Sequence, residues 1–145
     1  MLFRSIANGS HLAPEILQLI YKVKGADHIC IVSDATSMSG HPEGPAVYKG
    51  KEVTIQDGII LNETKSGFYG SAITFDRMLY QLVYKAGIPM TDAVRMCTST
   101  PARSVGLGNR KGILAEGYDA DIIAYDADIN VKFVMTRGKV LYQDL

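Results

Sequence analysis

The sequence predicts a mixed α/β fold, and three observations carry that prediction. A strand, a helix and a second strand follow one another within about 30 residues, the length of a βαβ unit. The second strand reads Ile29-Cys-Ile-Val-Ser-Asp34, a buried apolar run that stops abruptly on an acid followed by small residues. The last third holds only short β stretches punctuated by glycine.

A length of 145 residues suits one compact domain, and 47% hydrophobic residues suffice for a core. Fifteen Lys and Arg balance fifteen Asp and Glu without a run of like charge, which argues against a nucleic-acid partner. No apolar stretch approaches the roughly 18 residues needed to span a bilayer, and the first residues lack a signal-peptide core. A soluble cytoplasmic protein is the expectation. Cys30 lies in the apolar strand and Cys97 in a helical pattern, with no metal-ligand spacing nearby, so both read as core thiols.

Each element has its own signal. A short strand near Arg4 breaks at Asn8-Gly9, a turn pair. Pro14 suits a first helical turn, and Ile16, Leu17, Ile20 and Val23 recur at helical spacing as far as Gly25. After Asp34, residues 40–45 form a loop, and 46–62 read as a β-hairpin insertion turning at Asp57-Gly58. Residues 67–71 read as a glycine-bounded turn into a long amphipathic helix with Ile73, Met78, Leu79, Leu82 and Val83 on its apolar side. Thr91 reads as the cap of the next helix, which Pro101 interrupts. Stretches at 112–117, 120–126, 131–136 and 139–142 read as strands of a small β subdomain beginning near Asn109.

Taken in order, Asn8-Gly-x-His11, Val32-Ser-Asp34-Ala-Thr, Gly40-x-Pro-Glu-Gly44, Gly70-Ser71, Ala86-Gly-Ile-Pro, Ala93-Val-Arg-Met, Thr100-Pro-Ala-Arg103 and Gly117-x-x-Ala-Asp121 form a recognisable series. It resembles the C-terminal part of the N-acetylglucosamine-6-phosphate deacetylase family, within the amidohydrolase superfamily. The resemblance implies the last two βα units of a (β/α)8, TIM-like barrel over residues 1–108. It further implies the C-terminal share of a small β-sandwich subdomain over 109–145. It also implies a zinc- or iron-type divalent metal whose ligands lie upstream, so no metal ligand is assigned here. A truncated segment, inactive alone and without tight metal binding, is the expectation. Its first 45 residues should pair with a missing N-terminal barrel portion or a homodimer partner, or be poorly ordered.

By the same resemblance, Asp34 matches the general base that takes a proton from the nucleophilic water and later delivers one to the departing amine. A cap for the turn after the strand is the competing role. His11 matches a residue that contacts the substrate, a sugar phosphate; otherwise it is a helix-entry histidine bonded to backbone. The family's usual Asp-Gly-x-His is Asn8-Gly-x-His here, which removes a charge beside the site. Phe68, Tyr69 and Gly70 match the loop lining the acyl pocket, where the aromatic pair could instead cover core. His28 and His41 read as surface residues. Arg95, Arg103 and Asp121 read as structural, with Arg103 placed to satisfy helix-end carbonyls.

Deacetylation of N-acetylglucosamine 6-phosphate is the leading expectation. A non-catalytic docking or oligomerisation module is a second. An amidohydrolase of different substrate, such as a deaminase or cyclic-amide hydrolase, is a third.

Overall fold

In the computed structural model, which describes residues 2–144, a short strand β1 (Phe3–Ser5) leads through helix α1 (Pro14–Lys24) to a parallel partner, β2 (Ile29–Ile31). Pro14 occupies the first turn of α1, where its missing N–H deprives no carbonyl of a partner. Gly25 ends the helix at φ 72°, its amide donating to the Tyr21 carbonyl at 2.8 Å. α1 buries Leu17 and leaves Ile16, Leu19 and Val23 exposed. Among the described residues β1 and β2 pair only with each other, so both outer edges of this sheet lack a strand neighbour.

The hairpin expected at 46–62 is part of a larger four-stranded antiparallel meander: β3 (Gly44–Tyr48), β4 (Lys51–Gln56), β5 (Ile59–Leu61) and β6 (Phe68–Ser71). Two-residue turns join β3 to β4 at Lys49-Gly50 and β4 to β5 at Asp57-Gly58. All four residues have positive φ, the geometry that matches the twist of a hairpin. The Glu43 carboxylate accepts from the amides of Asp57 and Gly58 at 3.0 and 3.1 Å, fixing that turn. Residues 68–71, expected as a turn, form an edge strand instead. Pairing Leu61 with Phe68 and Ile59 with Ser71 supplies partners that β5 would otherwise lack.

The helices carry the main core. α2 (Phe75–Tyr80) continues into a π-helical segment, Gln81–Lys85, in which the Ala86 amide reaches back to the Gln81 carbonyl at 2.9 Å. α3 (Met90–Cys97) is preceded by Pro89, and Thr91 lies within the first turn rather than capping it. The chain breaks at Thr98, not at Pro101. Pro101 falls in the first turn of α4 (Ser99–Ser104), where a proline is tolerated. Met78, Leu82, Ala93 and Met96 pack with Ile29, Ile31 and Leu17 in one core, while Met38, Val53, Ile55, Ile60 and Ala72 form a smaller one under the meander. Buried Thr100 donates to the Ala26 carbonyl at 3.0 Å, tying α4 to the turn that precedes β2.

Strands β7 (Ile122–Tyr125), β8 (Val131–Thr136) and β9 (Lys139–Gln143) form a separate antiparallel sheet, with Arg137-Gly138 as a third two-residue turn of positive φ. The strand expected at 112–117 is absent. Gly112, at φ 93°, lies so close to Ser99 that a Cβ would stand 2.7 Å from its Cα. The segment is held by turn bonds such as Asp119 amide to Arg110 carbonyl at 2.8 Å, and Leu114 is exposed.

Cys30 and Cys97 are both free, and burial pushes the Cys97 thiol up to about 12. The unfolded thiol ionises near 9.0, so its stabilising contribution is complete below that value and is lost as pH rises toward 12. Cys97 is half-buried, so native protein at neutral pH should label at Cys97 with a disulfide reagent more slowly than protein unfolded in urea. Leu82→Ala, at a fully buried site, should lower stability by about 2–5 kcal/mol in urea titration. Leu19→Ala, on the exposed face of α1, should change it by about 0.5 kcal/mol or less.

Candidate functional site

Asp34 stands beyond the end of β2 with φ 49°, a left-handed conformation costing about 1–2 kcal/mol that persists only where neighbours enforce it. β6 is the enforcing neighbour. The Ser71 amide donates to the Asp34 carbonyl at 3.0 Å, and the Ser71 carbonyl accepts from the Thr36 amide at 3.2 Å, which makes Ala35 and Ser71 a parallel bridge. The Thr36 hydroxyl accepts from the Met38 amide at 3.1 Å and closes the loop. Gly70 permits this approach. A Cβ there would stand 2.7 Å from Thr36 Cγ2, 3.3 Å from the Asp34 carbonyl and 3.6 Å from its carboxylate, and φ is +129°. Asp34 itself is exposed.

The loop after β1 presents His11. Asn8, 2% exposed, accepts at Oδ1 from the amides of Ser10 and His11 at 3.1 and 2.9 Å, while its Nδ2 lies 2.9 Å from His11 Nδ1. The His11 ring meets Phe68 edge-on, with centroids 5.4 Å apart. β6 therefore touches His11 through Phe68 and Asp34 through Gly70, two residues on. Tyr69 stands apart: its ring faces Tyr48 at 6.2 Å and the Lys51 ammonium at 5.6 Å. Thus Asp34, His11, Phe68 and Gly70 share one region, and Tyr69 packs elsewhere.

Reading the sequence missed the supporting residues. Thr36 and Ser71 belong to two motifs of the series, and the contact between those motifs was not legible. Gln81 was legible only as a polar residue in a helix, yet its side chain packs 3.3 Å from where a Gly9 Cβ would lie. A cleft of about 730 Å³ opens beside the loop and is lined by Asn8, Ser10, His41, Glu43, Arg77 and Gln81. Asp34, His11 and Phe68 lie outside that lining.

The remaining polar residues bind the fold together. Arg103 pairs with Asp27 at 2.8 Å rather than with helix-end carbonyls, and Arg95 pairs with Asp92 at 3.3 Å. Asp121 accepts from the Arg137 amide and bonds Lys111, whose ammonium, with that amide, holds the carboxyl below its usual range. His28 bonds the Lys24 carbonyl at 3.1 Å, and His41 is exposed. Among the described residues no three His, Cys, Asp or Glu side chains are grouped to hold a metal ion. His11 Nδ1 is taken by Asn8, and Asp34 belongs to no such group, so these residues do not by themselves fit the divalent ion that the resemblance implies.

Residues 24–141 match the amidohydrolase family, and the chain belongs to it. The crystal structure of N-acetylglucosamine-6-phosphate deacetylase from Pasteurella multocida superposes with a TM-score of 0.87 at 31% identity, covering 99% of this chain and 37% of that one. The Vibrio furnissii N-acetylglucosamine-6-phosphate deacetylase is 24% identical across 94% of this chain and 34% of its own length. An Escherichia coli K12 relative, named provisionally as an N-acetylgalactosamine-6-phosphate deacetylase, is 27% identical over 93% of this chain and 80% of its own length. The chain thus spans about a third of the Pasteurella and Vibrio enzymes and most of the shorter Escherichia protein. Among the described residues no helix is long and apolar enough to cross a membrane.

The close approach at Gly70 makes a direct prediction. Gly70→Ala should lower stability by about 1–3 kcal/mol and shift the amide resonances of residues 34–36. Adding Thr36→Ser, which removes the clashing methyl and keeps the hydroxyl, should restore part of the loss in a urea titration.

Proposed function

We propose that this chain is the C-terminal share of a deacetylase acting on N-acetylglucosamine 6-phosphate, releasing acetate and glucosamine 6-phosphate. The observation that carries the reading is Asp34, held in a strained turn just past a parallel strand, the position where α/β folds place chemistry. Family membership and the likeness to the Pasteurella multocida enzyme support it. In this reading β1 and β2 are the last two strands of a (β/α)8 barrel over residues 1–108, and 109–145 belong to a small β subdomain. The free edges of β1 and β2, with the exposed stripe of Ile16, Leu19 and Val23, receive an upstream share of the same enzyme. A homodimer partner is the other candidate for that role. The setting is the cytoplasm.

The residues of this chain have separate tasks. Asp34, exposed at the end of its strand, takes the proton from the attacking water and returns one to the amine as the C–N bond breaks. His11 holds the sugar phosphate, and Phe68 fixes the ring of His11 while bounding the space for the acyl group. A divalent metal, zinc or iron, would polarise the amide carbonyl, with ligands supplied by the upstream share. The name of the Escherichia coli K12 relative favours a second reading, in which the sugar is the galactosamine epimer.

Grafted in place of the corresponding third of the Pasteurella multocida deacetylase, the chain should support acetate release. Asp34→Asn in that chimera should lower kcat by about 10²–10⁴-fold with metal content unchanged. His11→Asn should raise KM more than it lowers kcat. Activity of Asp34→Asn within a few-fold of the parent removes it from proton transfer, and the ratio of kcat/KM for the two epimers assigns the sugar.

A further inference from the structure

The loop after β1 contains a hydrogen-bond arrangement that decides what kind of contact His11 can offer. Asn8 is buried, and two backbone amides, from Ser10 and His11, converge on one oxygen of its side chain at 3.1 and 2.9 Å. Backbone N–H groups can only donate, so the atom they meet is the amide oxygen, and the other terminus of Asn8 is the NH2 group. That NH2 lies 2.9 Å from His11 Nδ1. Were Nδ1 protonated, two donors would face each other at that distance, and its hydrogen would be a third donor on an oxygen already accepting two, from 3.2 Å away. Both conflicts vanish when Nδ1 is bare and accepts from Asn8.

We propose that Asn8 is a positioning residue that holds His11 as its neutral Nε2–H tautomer, so that His11 presents a hydrogen-bond donor, and never a base, to whatever occupies the site. The inference rests on the reading of His11 as a substrate-holding residue and narrows it. The group that His11 meets must be an acceptor, an oxygen of a sugar hydroxyl or of a phosphate. Proton removal from water then falls to Asp34 alone, because an Nε2 that already carries hydrogen cannot accept another. An aspartate at position 8 would act in the opposite sense. A carboxylate has no hydrogen to give, so it would draw the proton onto Nδ1 and leave Nε2 bare, or stabilise the doubly protonated ring. One atom, nitrogen in place of oxygen at position 8, thus reverses the polarity of the imidazole. Phe68 packs edge-on to the same ring, which fixes its plane without contributing a polar contact.

The test is the long-range 1H–15N correlation spectrum of the imidazoles in the 145-residue chain at about pH 8, above the ordinary range of imidazole ionisation. Three histidines are present, and the spectrum of His11→Gln identifies the resonances of His11. The expected result is a bare, pyridine-like shift at Nδ1 and a pyrrole-like shift at Nε2. Asn8→Asp should exchange the two assignments or protonate both nitrogens. Should that variant not fold, Asn8→Ala, which lacks any donor, should bring the two shifts toward a common average. A wild-type ring protonated at Nδ1, two averaged shifts in the wild type, or a pattern unchanged by either variant would overturn the proposal. An Nε2–H ring in a chain whose chimera releases no acetate leaves the tautomer standing and removes the proposed function. The reverse pair of results removes the tautomer alone.

Discussion

Two backbone hydrogen bonds govern the geometry of this chain: Ser71 amide to Asp34 carbonyl, and Thr36 amide to Ser71 carbonyl. They join the edge of the antiparallel meander to the loop that leaves the parallel pair, two units with separate cores. Without them, Asp34 would lose the contacts that hold it in a left-handed conformation, and the meander would keep side-chain contacts to the loop after β1, Phe68 on His11 and the Ser10 hydroxyl on the Asp57 carbonyl. The contact needs a strand that can come within van der Waals distance of a turn. Gly70 meets that need, since any side chain there would occupy the space of Thr36.

Much of the fold was legible because its signals are local. Pro14 and Gly25 mark the ends of α1 by their own backbone preferences, and Asp57-Gly58 announces a hairpin by requiring positive φ at both positions. Lys49-Gly50 and Arg137-Gly138 adopt the same turn with a first residue that carries no such preference, so they gave no comparable local signal. β6 was not legible as a strand. Phe68–Ser71 is short, contains a glycine and lacks alternation, and its extended form comes from partners outside the segment, at Ile59 and Leu61 in the neighbouring strand and at distant Ala35. The segment 112–117 erred in the other direction: its apolar residues suggest a strand, yet the backbone of Ser99 lies against Gly112 and leaves no partner for a ladder.

The candidate site divides along the same line. Asn8 and His11 interact across three residues, so the motif itself contains the whole device, and only its hydrogen-bond direction required coordinates. Asp34 was visible as the acid at a strand end, but what holds it lies 36 and 37 positions later, in a glycine that the resemblance gives as pocket lining and the serine beside it. Tyr69 shows the limit of reading a loop as a unit. Once residues 68–71 are extended, neighbours in sequence point to opposite faces, and Tyr69 is carried away from Phe68 toward Tyr48 and Lys51.

The parallel pair itself is incomplete as a sheet. Two strands of three residues, with both outer edges lacking a strand neighbour among the described residues, do not form a stable sheet unaided, and here α3 and α4 pack on β2 and bury Ile29 and Ile31. Among the described residues the Ser5 hydroxyl is buried without a hydrogen-bond partner on the same sheet. Both features accord with the proposed reading, in which these strands receive neighbours from an upstream share of the enzyme. The conformation of Asp34 does not depend on those neighbours, because β6 reaches it from within the chain. Sheet completion and carboxylate placement are therefore separable: one is governed by edges open to another segment, the other by a glycine and two hydrogen bonds already present.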